Sequence, residues 1–181
     1  MSNTQPSTTL DRESVNLLHK LLEAPPSSLK LLSDELATEP GESPASLANR
    51  AIAAIHSWST RDKVDFIQGH PRIGEQSNLS AMSAAEQAKY ATPPEVLQRL
   101  AILNEEYERR FTGLRYITFV AGRTRAQIVD EMEDSMNIRR GSNISGEEPS
   151  PLGPGDELWE SELSRAIDDI GRIAQDRAKK L

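Results

Sequence analysis

Apolar residues recur at intervals of three and four along almost the whole chain, which is the spacing of one face of an α-helix. The clearest stripe follows this spacing through Val96, Leu100, Leu103, Tyr107 and Phe111. The chain has 181 residues, which is enough for one domain with a hydrophobic core and too short for two comfortable ones. We therefore predict a single all-α domain, a compact bundle of seven or eight helices.

Prolines, glycines and short polar residues divide this pattern into helices. Pro25 and Pro26 end the first predicted helix, because proline lacks the N–H group that continues a helix. Pro44 fits the first turn of the third helix, and Ser59 fits the N-cap of the fourth. Gly69 then ends that fourth helix.

The later helices have start signals of their own. Ser83–Glu86 and Thr92–Glu95 both have capping-box spacing, in which two side chains three residues apart bond each other's backbone N–H groups. Another helix is predicted from about Thr124. The last begins near Asp156 and runs almost to Leu181.

Three segments do not fit this helical pattern. Leu114–Ala121 is rich in aromatic and β-branched residues, but a lone strand has no partner here, so we predict buried extended or irregular chain. Residues 139–156 are rich in Gly, Ser and Pro, which predicts a mobile insertion. Residues 1–9 predict a disordered tail, which leaves 10–181 as the folded domain.

The charge balance and the absence of cysteine exclude several classes of protein. There are 21 Lys and Arg against 28 Asp and Glu, a net charge of −7, so the chain lacks the basic surface that nucleic acids or anionic membranes require. The absence of cysteine excludes a disulfide scaffold and a Cys nucleophile. Three scattered histidines do not favour a transition-metal site, so we expect no metal ion. No secretory signal or apolar membrane-spanning run is found, which favours a soluble intracellular protein.

The three histidines differ in their sequence context. His19 and His56 lie beside apolar helix stripes, where half-buried packing residues are expected. His70 lies outside the helices, between Gly69 and Pro71. Because proline fixes the neighbouring backbone, this histidine is held in one direction, as a general acid or base requires. The alternative is a hydrogen bond that anchors the loop.

Glu86 and Gln87 are candidate site residues, and each also has an ordinary structural explanation. Glu86 either completes the capping box of Ser83 or orients and deprotonates His70. Gln87 offers an uncharged donor and acceptor that suits a heterocyclic amide, although most glutamines at such positions are solvated.

Two arginines stand next to apolar segments. Arg177 continues the apolar stripe of the last helix, and Arg123 follows the apolar run 117–122. Each either reaches outward to solvent or points inward to hold a carbonyl-rich or anionic ligand. The backbone beside Gly122 can approach a ligand closely, because glycine has no side chain.

Five segments in this order closely resemble one enzyme family, the decarboxylases of 2-oxo-4-hydroxy-4-carboxy-5-ureidoimidazoline (OHCU). The segments cover most of residues 10–181, and they are Gly69–Gly74 (GHPRIG), Leu79–Gln87 (LSAMSAAEQ), Leu103–Tyr107 (LNEEY) followed by Phe111, Phe119–Arg123 and Ile170–Arg177.

This resemblance implies an all-α enzyme, often a homodimer, that converts OHCU to (S)-allantoin and CO2 during urate degradation without a cofactor. In such a family the substrate itself spreads the charge left after loss of CO2, so no pyridoxal or thiamin group is needed. The implied partners are the ureidoimidazoline substrate and the product allantoin.

The resemblance also assigns roles to residues. The proton donor falls on His70 and the catalytic glutamate on Glu86. The implied substrate contacts fall on Pro71, Ser83, Gln87, Phe119, Val120, Ala121, Gly122 and Arg177, with Arg123 beside them. Three departures stand out: Arg72 replaces an acidic residue of many members, the stretch from Pro71 to Ser83 is short, and 139–156 resembles an insertion.

Two other functions are compatible with the sequence. One is a non-catalytic all-α interaction domain that binds a partner segment in a groove between helices. The other is a hydrolase of a related ureido compound, in which His70 and Glu86 would activate water. The resemblance to a urate pathway and the ending Lys179-Lys180-Leu181, a partial match to the S-K-L signal, leave cytoplasm and peroxisome as the expected locations.

Overall fold

The computed structural model describes residues 9–75, 92–142 and 150–181. Within these ranges the chain forms seven α-helices and no strand. The helices are α1 (Arg12–Leu22), α2 (Pro26–Glu35), α3 (Pro44–Ser57), α4 (Thr60–Gln68), α5 (Pro94–Arg110), α6 (Arg125–Ser135) and α7 (Glu157–Ala178). The prediction of an all-α fold with seven or eight helices is confirmed.

Contacts within the chain group the described residues into two units. The first unit holds the residues up to His70 together with Glu162–Leu181, and the second holds Pro71–Ser161. The long helix α7 contributes its first residues to the second unit and its remainder to the first.

The first unit is built from α1 to α4 and most of α7. Its core consists of apolar side chains from these helices, among them Leu18, Leu22, Ile55, Phe66 and Ile170. The prediction that Pro25 and Pro26 end the first helix is confirmed, since α1 ends at Leu22, and Pro44 stands in the first turn of α3 as predicted. Ser59 is the N-cap of α4, and its hydroxyl oxygen accepts from the N–H of Asp62 at 3.2 Å.

The second unit is built mainly from α5 and α6, which pack against each other. The prediction that Thr92 caps α5 is wrong, because Pro93 is the N-cap and no side chain of the described residues caps the helix there. Pro94 favours extended backbone in the residue before it, so Pro93 (φ −55°, ψ 142°) stays outside the helix and takes the cap position predicted for Thr92. Helix α6 does have a capping box, in which Thr124 and Gln127 bond each other's backbone N–H groups at 2.8 and 3.2 Å.

Residues 114–120 have no regular secondary structure and no sheet partner among the described residues. Leu114, Tyr116 and Ile117 are buried. The prediction of buried irregular chain for this segment is therefore confirmed.

Leu152 is bonded to the residues at the end of α5. Its N–H donates to the carbonyl of Arg110 at 2.7 Å, and its own carbonyl accepts from Thr112 at 2.9 Å. Trp159 is fully buried nearby in the chain and donates from its indole N–H to the Thr112 carbonyl at 2.9 Å. These bonds fix the backbone that leads into α7.

The two histidines outside the candidate site have ordinary surroundings. His19 is exposed, so the prediction that it is half-buried is wrong, because it lies just off the apolar face of α1. His56 lies 2.9 Å from the Asp168 carboxylate on α7. In the described part of the chain, no helix is both long and apolar enough to cross a membrane.

Candidate active site

His70 stands directly after the end of α4. Gly69 is the C-cap of this helix, and a Cβ atom at Gly69 would lie 2.7 Å from the Pro25 ring. Because the proline ring is rigid, only glycine allows the end of α4 to approach the α1–α2 connection this closely. His70 is consequently buried, with 7% of its surface exposed.

Both ring nitrogens of His70 face backbone carbonyl oxygens. Nδ1 lies 2.9 Å from the carbonyl of Phe66, and Nε2 lies 2.8 Å from the carbonyl of Leu22 at the end of α1. A carbonyl only accepts, and a neutral imidazole has a single N–H, so only the protonated ring donates to both oxygens at once. The anchoring bond that the sequence allowed is present, while the proton-donor role stays a prediction.

Burial lowers the pKa of His70, because the charged ring loses its hydration. The carbonyls of Leu22 and Phe66 and the carboxylate of Glu23 act in the opposite direction. The positive charge of Arg177 acts together with burial. A histidine with a lowered pKa is a stronger acid once it is protonated, which suits a proton donor.

Arg177 points inward rather than to solvent. Its side chain is 4% exposed, and one NH group donates to the carbonyl of Leu21 at 3.2 Å. The other contacts the Glu23 carboxylate at 3.0 Å. The predicted inward direction of Arg177 is therefore confirmed, while its contact with a ligand stays a prediction.

Glu23 is the residue of this cluster that the sequence analysis missed. It is the C-cap of α1, with left-handed backbone angles (φ 51°, ψ 30°), and its side chain is 13% exposed. The available signal was an acidic residue at the end of an amphipathic helix, just before the double proline. Its partner on α7 could not be deduced from this position.

The structure therefore brings His70, Arg177 and Glu23 together at the C-terminal end of α1. The last carbonyls of a helix lack partners within the helix and carry partial negative charge, so they attract cationic side chains. Here the carbonyl of Leu21 binds arginine and that of Leu22 binds histidine. We call this group of residues the α1 end cluster.

The second unit contains a tight turn at 120–123. The N–H of Arg123 donates to the carbonyl of Val120 at 2.9 Å. Ala121 and Gly122 both have positive φ angles, 49° and 83°, the pattern of a type I′ turn. Among the described residues no acceptor bonds the N–H groups of these two exposed residues, so both can donate to a ligand.

The side chain of Arg123 stabilises the same turn by hydrogen bonds. Its Nε donates to the carbonyl of Val120 at 2.9 Å, and other guanidinium N–H groups contact the Phe119 carbonyl and the Thr118 hydroxyl. It also pairs with Glu131 on α6. A contact between Arg123 and substrate stays a prediction.

Arg72, one of the departures from the family pattern, has a clear partner. Its guanidinium makes a two-pronged contact with Glu108 on α5, at 2.8 and 2.6 Å, which raises the pKa of this arginine. The Asn104 amide donates to the carbonyl of Ile73 at 3.0 Å. The segment after half-buried Pro71 is thus tied to α5.

Three predicted site residues, Ser83, Glu86 and Gln87, lie outside the described residues. Their predicted roles and the predicted capping box at Ser83–Glu86 therefore stay predictions. Within the ranges that the structure describes, no three His, Asp or Glu side chains are grouped as ligands for a metal ion.

Comparisons with known proteins place this geometry in a family. The family model described as OHCU decarboxylase matches residues 8–145, and a comparison with curated proteins gives no match. A crystal structure of OHCU decarboxylase in the presence of (S)-allantoin superposes with a TM-score of 0.58 at 20% identity, covering 90% of this chain and 94% of that one. A crystal structure of (S)-allantoin synthase gives 0.53 at 15% identity, covering 92% and 48%.

At these identities the two crystal structures show a shared fold. The family match ends before Arg177, which lies within the last helix. The family model nevertheless spans well over half of the chain, with the His-Pro motif inside it. The chain therefore belongs to the OHCU decarboxylase family.

Proposed function

We propose that His70 is the proton donor of this enzyme and that the product is (S)-allantoin. As a member of its family the chain is a carboxy-lyase, which decarboxylates OHCU to allantoin and CO2 in urate degradation. The observation that carries the residue assignment is the pair of ring contacts to the carbonyls of Leu22 and Phe66. Only the protonated ring, the form that can donate, makes both of these bonds.

The reaction needs one bond broken and one proton delivered. When the carbon–carbon bond to the carboxylate breaks, CO2 leaves and the electron pair stays on the ring carbon, where a neighbouring carbonyl or imine spreads it as an enolate. The imidazolium of His70 then gives its proton to that carbon and becomes neutral imidazole, which solvent reprotonates. Delivery from one side only produces a single enantiomer.

In this proposal one of the two carbonyl contacts of His70 is exchanged for the substrate. Both ring nitrogens lie against backbone oxygens, so the ring gives up either Leu22 or Phe66 when it donates. Proton transfer also removes the second N–H from the ring. The loss of one carbonyl contact and the loss of the proton therefore occur together.

Arg177 is proposed to bind a ring or ureido carbonyl of the substrate. We do not assign it to the departing carboxylate, because that salt bridge would stabilise the ground state, disappear on loss of CO2 and raise the barrier. Substrate contacts from Pro71, Ser83, Gln87 and residues 119–123 are proposed on the resemblance, and so is the role of Glu86 in orienting His70.

A homodimer is also proposed on the resemblance, with cytoplasm or peroxisome as the location. Sedimentation equilibrium of the full chain tests the first of these, and a single species of about 20 kDa, the mass of one chain, would contradict it.

The test of the function uses freshly generated substrate, made from urate by urate oxidase and hydroxyisourate hydrolase. Circular dichroism follows chiral allantoin, and released CO2 is measured in parallel. We expect rapid formation of one enantiomer by the wild type. His70→Asn should lower kcat by about 10²–10⁴-fold, the contribution of a positioned acid, while allantoin binding is retained.

His56→Asn is the matched control, because this histidine pairs with Asp168 away from the α1 end cluster, and it should leave kcat unchanged. Substrate consumption without CO2 would indicate the ureido hydrolase instead. Racemic allantoin at the spontaneous rate, from folded protein, would indicate the interaction domain. Equal loss of turnover and allantoin binding in His70→Asn would make His70 a binding residue.

A further inference from the structure

Glu23 occupies a backbone position that favours glycine. Its φ of 51° lies in the left-handed region, where a residue with a side chain is strained. Glycine is the usual residue at such a helix end because it avoids this strain. A glutamate here therefore points to a role for its carboxylate.

The role visible in the structure is the contact with Arg177. The two side chains meet at 3.0 Å and are 13% and 4% exposed, so the pair is largely withdrawn from water. A buried guanidinium requires a counterion and hydrogen-bond acceptors. Glu23 supplies the charge, and the carbonyl of Leu21 supplies a further acceptor.

The same helix end also holds His70. Its Nε2 contacts the carbonyl of Leu22, the residue directly before Glu23. Among the described residues, the charged groups that act on this ring are the Glu23 carboxylate, which raises the pKa of His70, and the Arg177 guanidinium, which lowers it. Glu23 therefore offsets part of the effect that the arginine charge has on the histidine.

We propose that Glu23 is a positioning residue for the decarboxylation, which fixes the Arg177 guanidinium and balances its charge beside the His70 ring. The proposal rests on the proposed function of His70 and Arg177. Nothing in the family resemblance assigned a role to Glu23, and it acts through the other two residues of the α1 end cluster.

Two variants separate the effect of the Glu23 charge from the effect of its side-chain length. Glu23→Gln keeps the shape of the side chain and removes its charge. Glu23→Asp keeps the charge but shortens the side chain by one methylene. Glu42→Gln is the matched control, since Glu42 pairs with Arg50 at 2.7 Å in the same unit and its side chain is 7% exposed. For each variant, kcat and KM are measured across pH with the allantoin assay.

The expected pH effect has a definite sign. The protonated ring is the donor, so kcat falls as pH rises through the pKa of His70. Removing the carboxylate makes protonation harder, so the alkaline limb of the kcat profile in Glu23→Gln should move to lower pH, by about one pH unit for a nearby charge. Glu23→Asp should keep this limb in place.

KM should report on Arg177. Both Glu23 variants leave the guanidinium less well held, so KM should rise about tenfold, the effect of one weakened charge-assisted contact. Glu42→Gln should match the wild type in KM and in the pH profile. Proton NMR titration of the three histidines, assigned by His→Asn variants, should show the shift at His70 alone.

A wild-type pH limb and a wild-type KM in Glu23→Gln would overturn the proposal, as would equal changes in Glu42→Gln. If Glu23→Gln does not fold, Glu23→Asp decides, because an unchanged KM in that variant also overturns it. Failure of the proposed function gives a different result, in which the wild type releases no CO2 or His70→Asn is fully active.

Discussion

Arg177 in the first unit and Arg123 in the second form an instructive pair. Both follow apolar segments in the sequence, and each lies near a non-glycine residue with positive φ, Glu23 at 51° and Ala121 at 49°. Arg123 bonds partners no more than eight residues away, and its side chain is 31% exposed. Arg177 bonds partners more than 150 residues away, and its side chain is 4% exposed.

This difference indicates that Arg123 stabilises its own turn, whereas Arg177 belongs to the candidate site. An arginine that bonds its own turn stabilises a backbone conformation, and solvent weakens its ion pair. An arginine buried against a distant helix end has a fixed direction and little competing water. We therefore expect substitutions of the two arginines to have very different effects.

The largest contrast is expected between Arg177→Leu and Arg123→Leu. Arg177→Leu breaks the buried ion pair with Glu23, so the free energy of unfolding should fall by about 3 kcal/mol, and allantoin should bind more weakly. Arg123→Leu should cost about 1 kcal/mol or less, because its ion pair is partly exposed. Denaturant unfolding and calorimetric titration with allantoin measure both effects. Equal stability losses in the two variants would remove the distinction.

A second contrast concerns two glycines. A Cβ at Gly69 meets the rigid ring of Pro25 at 2.7 Å, whereas one at Gly122 meets nothing within 4 Å. Gly69→Ala should cost about 2 kcal/mol by overpacking and should displace His70, lowering kcat. Gly122→Ala should cost about 1 kcal/mol, from its positive φ alone.

Thermal unfolding and the allantoin assay test this pair together. A Gly69→Ala enzyme with wild-type kcat and stability would show that the approach to Pro25 does not position His70. A larger stability loss in Gly122→Ala than in Gly69→Ala would contradict the expected order of the two effects.

The smallest effect expected is a pH dependence of stability. The pKa of His70 in the folded protein lies below the ordinary value of 6.5, so between the two values the unfolded chain binds more protons than the folded one. Stability contributed by this residue is therefore lost as pH falls through that window and is restored above about 6.5.

Unfolding by denaturant at pH 5 and pH 7.5 measures this contribution. His70→Asn should lose less stability on acidification than the wild type does, whereas His56→Asn provides the control for a half-buried histidine paired with a carboxylate. An identical acid response in wild type and His70→Asn would contradict the lowered pKa.

Much of the fold is predictable because its signals are local. The ends of α1 and α4, the start of α3 and the irregular segment 114–120 follow from a proline, a capping residue or an apolar run within a few residues. The cap of α5 at Thr92 is the exception, since consecutive prolines favour extended backbone before the helix and override the capping pattern.

The α1 end cluster is only partly predictable for the opposite reason. His70 stands out because Gly69 and Pro71 fix its backbone, and Arg177 stands out on its apolar stripe. The inward direction of Arg177 depends on Glu23, which is 154 residues away in the chain. Helical spacing relates only residues a few positions apart, so this pairing cannot be predicted before α1 and α7 are both folded.

The pair of hydrogen bonds at Leu152 has a consequence for how this chain can change. They pin the point at which the chain returns to the end of α5, immediately before α7 begins. Both bonds use backbone groups alone, so every residue except proline, which lacks the donating N–H, can make them at position 152 and keep the start of α7 in register.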